Sequence, residues 1–434
     1  MNQLQSGFSI QTSFSRATVT IKQFIGEGGQ GSIYKVDYNG QEKALKWYKK
    51  SALGNNPTDF YHNIETNIIK GSPSKEFLWP IDITEWKDGT FGYIMDLKPD
   101  GYYEMTDFLL CKVRFTSYKR TIDTALNIVS AFRQLHNAGY SYQDINDGNF
   151  FINPDNGKVL ICDNDNVAPN GIKTGIAGKP RYMAPEVVLG TAIPNSHSDR
   201  FSMSIILYSL FCLNHPLEGK RHLVPALTEN LQKKLYGSEP IFMMDPNNAD
   251  NAPHPVVHKN SIVVWASFPS YMQNIFIKAF SQESFDKPSK RSTEIEWLKV
   301  LTRFRSSVVS CSCGNEIFVE SNNSLCDNNN CGKPANVQFE LDLGEFSIPA
   351  IKDARIYKCQ VGVSNDRDAL NPIAHVLQKQ STGALGIKNK SGVSWNAVSS
   401  KGVTKEVKPD DVIPIKSGIT FDVDNTTIKI KTIF

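Results

Sequence analysis

The stretch Gly26–Val36, GEGGQGSIYKV, followed after a short turn by Ala44-Leu45-Lys46, decides how the rest of the chain is read. Gly26, Gly28 and Gly31 give the spacing G-x-G-x-x-G, and Ile33 stands where a branched side chain would roof a purine. A loop that lies over phosphates must bring its backbone N–H groups close to their oxygens, so side chains have to be absent at the contact points. Such triplets also occur in ordinary tight turns and in dinucleotide folds. The order of the segments that follow gives this one its weight.

Val19–Phe24, Ile33–Val36 and Lys43–Trp47 read as short strands, with a helix expected around Asp59–Lys70. Two more strands fit Leu78–Ile83 and Phe91–Leu97. Ile122, Leu126, Val129, Phe132 and Leu135 recur at helical period and predict a helix from about Tyr118 to Asn137. Beyond it come Tyr142-Gln143-Asp144-Ile145-Asn146-Asp147-Gly148-Asn149, an expected strand Val159–Ile161, and Cys162-Asp163-Asn164-Asp165.

This order resembles the eukaryotic-like (Hanks-type) protein kinase superfamily over residues 1–306. Later markers agree: Gly178–Glu186 (GKPRYMAPE) is similar to the end of an activation segment, and Asp199-Arg200-Phe201-Ser202 to the start of the central buried helix. Arg291 stands where the family pairs an arginine with the glutamate of A-P-E, here Glu186. The resemblance implies a two-lobed α+β fold, with an N-lobe over 1–97 and a C-lobe over 98–306. It implies ATP as cofactor, with Lys46 on the α- and β-phosphates and Glu65 as the carboxylate that aims it. Asn149 and Asp163 would supply oxygen ligands for Mg²⁺ or Mn²⁺, and Asp144 would accept the proton of the substrate hydroxyl. Ala44 and Met95 would flank the adenine, with Asp96 and Leu97 as the hinge.

Several positions depart from the family pattern. Tyr142-Gln143 replaces His-Arg before the catalytic Asp, which removes the cation that receives an activation-loop phosphate; the acceptor in that loop is chiefly Thr174. Asn164 replaces the Phe of D-F-G and is expected to bond the Tyr142 hydroxyl. Asp165 replaces the Gly, as a second carboxylate near the metals or, the favoured reading, a cap on the following turn. Asn146 and Lys179 replace a Lys and a Thr that meet beside the catalytic Asp, so Lys179 is expected to restore the lost charge from across the cleft. The bland alternative is a solvated Lys179 that reads an acidic substrate.

GEGGQG, ALKWY, CDNDNV, NHPLEGKR and the segment Leu235–Pro255 narrow the resemblance to a bacterial kinase group found beside a von Willebrand A protein and a metal-dependent protein phosphatase, which it implies as partners. After an expected last helix, Ser292–Arg305, Cys311, Cys313, Cys326 and Cys331 form two pairs, each ending in Cys-Gly, and resemble a structural zinc ribbon over 307–336. From there to 434, short alternating segments (Val337–Leu341, Arg355–Cys359, Ile387–Asn389, Thr427–Ile433) predict an all-β sandwich. Leu385-Gly-Ile-Lys-Asn with Trp395 resembles a forkhead-associated domain, though its phosphothreonine-gripping residues cannot be matched; Trp395 is expected in the core.

With 434 residues, about two to four domains are expected. The near balance of 47 basic and 44 acidic residues offers no electrostatic case for nucleic acid or membrane partners. An N-terminus without basic start or apolar run, and the scattered thiols, suit the cytoplasm. The expected activity is transfer of the ATP γ-phosphate to a protein hydroxyl, Ser or Thr ahead of Tyr. A nucleotide-binding pseudokinase scaffold and a small-molecule phosphotransferase are the competing readings.

Overall fold

Alternation along Gln41–Tyr48 sends Leu45 and Trp47 to one face of a sheet and Ala44, Lys46 and Tyr48 to the other, because successive strand side chains point oppositely. In this computed structural model, which describes residues 4–433 apart from 55, 173–177, 320–323, 327, 329, 336, 363–367 and 425, that strand lies inside a six-stranded sheet. The sheet runs Ser9–Gln11, Thr18–Glu27, Gly31–Tyr38, Gln41–Tyr48, Gly92–Met95, Asp82–Ile83, all antiparallel. Val19, Tyr34, Val36, Leu45 and Ile94 pack on the first face. The helix Pro57–Lys70 packs Phe60, Tyr61 and Ile64 on the second, against Tyr48, Phe91 and Tyr93.

The predicted helix forms over Tyr118–Asn137, and its apolar face reaches the helix Ser196–Cys212, which is buried from Phe201 onward and opens on a capping box at Asn195. Together with Glu294–Ser307 these helices build the core of the C-lobe. Of the expected strand Leu78–Ile83 only Asp82–Ile83 pairs; Phe77 instead bridges to Ile161, which ties the lobes' junction to the strand before Asp163. Thr174 lies outside the described residues.

A hairpin of Val308–Ser310 and Glu316–Phe318 leads away from the last helix, with the Phe318 ring 4.8 Å from that of Phe304. The remainder forms a six-stranded and a four-stranded antiparallel sheet whose inner faces share Leu341, Ile356, Val376, Ile387, Trp395 and Phe421, a sandwich core. Trp395 is buried and stacks on Phe421. The strand expected over Arg355–Cys359 stops at Tyr357 and turns into a short helix, Lys358–Val361. The turn seats Cys359 against Thr302, so Tyr357, Cys359 and Ala369 join the core of the C-lobe rather than that of the sandwich. Among the described residues no helix is long and apolar enough to cross a membrane.

Candidate active site

Lys46 sits on the cleft side of its strand, 3 % exposed, where an ammonium must find anions. Its Nζ donates to Asp163 Oδ1 at 3.1 Å, to Asp165 Oδ1 and Oδ2 at 3.2 and 2.9 Å, and to Gln30 Oε1 at 2.7 Å. Burial opposes its charge, but Asp165 and then Asp163 outweigh burial and hold the amine above its usual range. Asp165 is completely buried and also accepts from the hydroxyls of Tyr48 and Tyr93. Burial first, and the Asp165 charge second, keep both phenols protonated and therefore donors.

The expected partner Glu65 is elsewhere: it bonds His62 Nδ1 at 2.7 Å, one turn back on its own helix. The fully buried carboxylate paired with Lys46 is Asp165, reached through the chain's tertiary fold rather than from the helix. The Asp165 carboxylate is thus spent on Lys46, Tyr48 and Tyr93 rather than on capping the following turn. Asn164 corrects a second expectation. Its Nδ2 donates to Ile161 O at 2.9 Å, and the Tyr142 hydroxyl donates to Cys162 O. Each side chain secures the backbone leading to Asp163, and they do not bond each other.

Below Lys46, Asp199 holds the loop that carries Asp144 by accepting the Tyr142 and Gln143 amides at 2.6 and 3.2 Å. His136 spans Asp199 and Glu294, and Arg200 closes the network on Glu294. Gln143 (φ 69°) and Asp163 (φ 55°) both adopt the left-handed region, a strained conformation that such anchors sustain. Asn149 donates to Asp144 O at 2.9 Å, which leaves its amide oxygen without a protein donor among the described residues. Asn146 donates to Asp144 Oδ1 at 3.2 Å and accepts from Lys179 Nζ at 2.9 Å, so Lys179 reaches the immediate partner of Asp144. Burial first and the Asp163 charge second push Asp144 up to about 6, against the pull of Asn146 and Lys179. Arg291 grips Glu186 through two bonds of 2.8 and 2.7 Å.

One end of the cleft is apolar: Ile33, Ala44, Met95, Leu97 and Cys162 belong to one cluster, and Ala44 pairs with Met95 in the sheet. The Asp96 side chain turns away to Lys43 at 2.5 Å, leaving its backbone as the usable edge. The three glycines differ in purpose. A Cβ on Gly31 would stand 2.3 Å from Trp47 O, so close strand approach requires glycine there. A Cβ on Gly26 or Gly28 would meet no side chain, while the Gly28 backbone is held in the turn, its N–H donating to Gly31 O at 2.8 Å and its carbonyl accepting from Lys49 Nζ at 3.0 Å.

The oxygen donors of Asp163 and Asn149, beside a lysine and below an open glycine loop, fit a divalent cation carrying a polyphosphate. Sequence reasoning missed Gln30, which sits in the turn of the glycine loop, and Tyr48 and Tyr93, whose only signal is placement on the Lys46 face of the sheet. Far from this cleft, the sulfurs of Cys311, Cys313, Cys326 and Cys331 all lie within 4.8 Å of one another, with two separations of 3.6 Å. A tetrahedral zinc thiolate site has sulfurs about 3.8 Å apart, given bonds of about 2.3 Å, so the four thiols fit such an ion.

The sequence profile described as "Protein kinase domain" matches residues 19–298. Maternal embryonic leucine zipper kinase of Xenopus tropicalis is 26% identical over 213 residues, which cover 47% of this chain and 31% of that protein. Serine/threonine-protein kinase Sgk1 of Xenopus tropicalis is 23% identical over 261 residues, 52% of this chain and 60% of the relative. The chain thus spans about a third of the length of the first curated relatives it matches. Among solved structures, the Mycobacterium tuberculosis PknI kinase domain aligns with a TM-score of 0.45 at 17% identity, covering 68% of this chain and 97% of that one.

Proposed function

The chain belongs to the protein kinase family, and from that premise we propose that it is a cytoplasmic, ATP-dependent kinase acting on serine or threonine hydroxyls of a protein. The observation that carries the reading is the convergence of Lys46 with Asp144, Asn149 and Asp163, about a hundred residues further along the chain, on one cleft. When bound, Mg-ATP supplies the phosphoryl group and the cation that neutralises its oxygens. The chain's own residues position. Lys46, aimed by Asp165, offers a charge to the phosphates, and the glycine turn Gly26–Gly31 would lie above them. Asp163 and Asn149 offer oxygens to the cation. Asp144, ionised above about pH 6, accepts and holds the hydroxyl proton at its carboxylate. Lys179, held at Asn146, places a second positive charge beside that proton transfer.

The zinc-fitting thiol cluster would be structural, because four thiolates leave no open position. The von Willebrand A protein and phosphatase implied by the sequence phrases are proposed neighbours in signalling. A scaffold reading draws on one observation: the Lys46 shell is already complete with Gln30, Asp163 and Asp165. Transfer of labelled γ-phosphate to the chain itself or to a generic protein, compared with Asp144→Asn, tests the proposal. Transfer that Asp144→Asn abolishes supports it; nucleotide binding without transfer sinks it in favour of the scaffold.

A further inference from the structure

A recess of about 490 Å³ lies where the sandwich meets the C-lobe, lined by none of the catalytic residues. Five cationic side chains, Lys75, Arg120, Lys158, Arg305 and Arg355, face it against only two carboxylates, Glu76 and Asp123. Asp123 is divided between Arg120 at 2.9 Å and Arg305 at 2.5 Å. Among the described residues, no ion pair occupies Lys75, Lys158 or Arg355.

Like charges gathered around a partly enclosed space repel unless an anion joins them, and guanidinium groups suit phosphate oxygens. Tyr102 and Tyr357 add aromatic walls, and the volume falls in the range of small-molecule sites. We propose that this recess binds a small molecule carrying two or more phosphates. Its place matters for the catalytic cleft. Val159 and Leu160 line it, and their strand ends at Ile161, whose N–H bonds Glu76 O at 2.7 Å two residues before Asp163. An occupant would abut the strand that delivers Asp163.

The test titrates pyrophosphate, by calorimetry, into the full chain with its catalytic cleft saturated by a non-hydrolysable ATP analogue and excess Mg²⁺. Saturable one-site binding is expected, weakened at least tenfold in Lys158→Ala/Arg355→Ala and unchanged in Lys416→Ala, an exposed sandwich lysine outside the recess. Should the first variant misfold, Lys75→Ala/Lys158→Ala replaces it, because both lysines are exposed. GDP binding tighter than pyrophosphate identifies a nucleotide occupant, and equal binding a free polyphosphate. No saturable heat, or binding that survives both double variants, overturns the proposal.

Discussion

Replacing Asp165 by Asn separates the aiming carboxylate of this chain from the one its family resemblance implies. The substitution keeps the shape and deletes the charge. Lys46 would retain Asp163 at 3.1 Å, but Asp163 is about a third exposed and already due to hold a cation. The lost partner is the fully buried one, with two contacts to Nζ of 3.2 and 2.9 Å. Removing one member of a buried ion pair costs about 3–5 kcal/mol, and an amide that turns its NH₂ to the ammonium adds repulsion. Asp165→Asn is therefore expected to lose roughly 3 kcal/mol of stability in urea unfolding followed by fluorescence. Because Lys46 would lose its aim, kcat/KM in a γ-phosphate transfer assay should fall by about a hundredfold or more, equivalent to about 2.7 kcal/mol. Glu65→Gln is the control. Its carboxylate is half-buried and bonds the exposed His62, so the change should shift stability by less than about 0.5 kcal/mol and the rate by less than about threefold. Loss of transfer in Glu65→Gln with an unaffected Asp165→Asn would refute the reasoning outright.

Other outcomes follow from the same geometry. Asp144, raised to about 6, must be ionised to take a proton, so kcat/KM measured against pH should hold above about 6 and decline below it. Lys179→Met removes a positive neighbour and should move that acid limb upward by about half a unit to one unit. Burial works against charge on His136, yet its bonds to Asp199 and Glu294 raise it from 6.5 to about 9. Its protonated form thus stabilises the fold fully below about pH 6.5, and up to about 3 kcal/mol should fade as pH rises through 9. Urea midpoints across that window should show the fade, and His136→Gln should flatten it. Finally, purified chain should carry about one zinc by elemental analysis, lost together with thermal stability in Cys313→Ser or after chelation.

Much of this was legible because it is local. The helix Tyr118–Asn137 matched its apolar period end to end, and the Gly26–Val36 hairpin and the Asp144–Asn149 loop carry their chemistry in consecutive residues. Lys46 was legible too, but its partner was not. A helix read from periodicity does not fix which residue faces inward, so Glu65 could be offered for a place that Asp165, 119 residues from Lys46 in sequence, actually fills. The Asn164 and Tyr142 side chains were read as partners because both break the family pattern, whereas each answers to a nearby backbone carbonyl that sequence does not display. Arg355–Cys359 alternates like a strand, and only the neighbouring helix, offering Thr302, explains why the chain coils after Tyr357.

That last detail decides where the catalytic half stops being separable. Tyr357, Cys359 and Ala369 belong to the oily interior of the C-lobe, and Ser306 fastens the Arg355 carbonyl at 2.9 Å. A truncated product ending after its final long helix would bare that interior to water and tend to clump. The tail thus behaves as a missing wall of the kinase domain, and whatever loosens it loosens that domain with it.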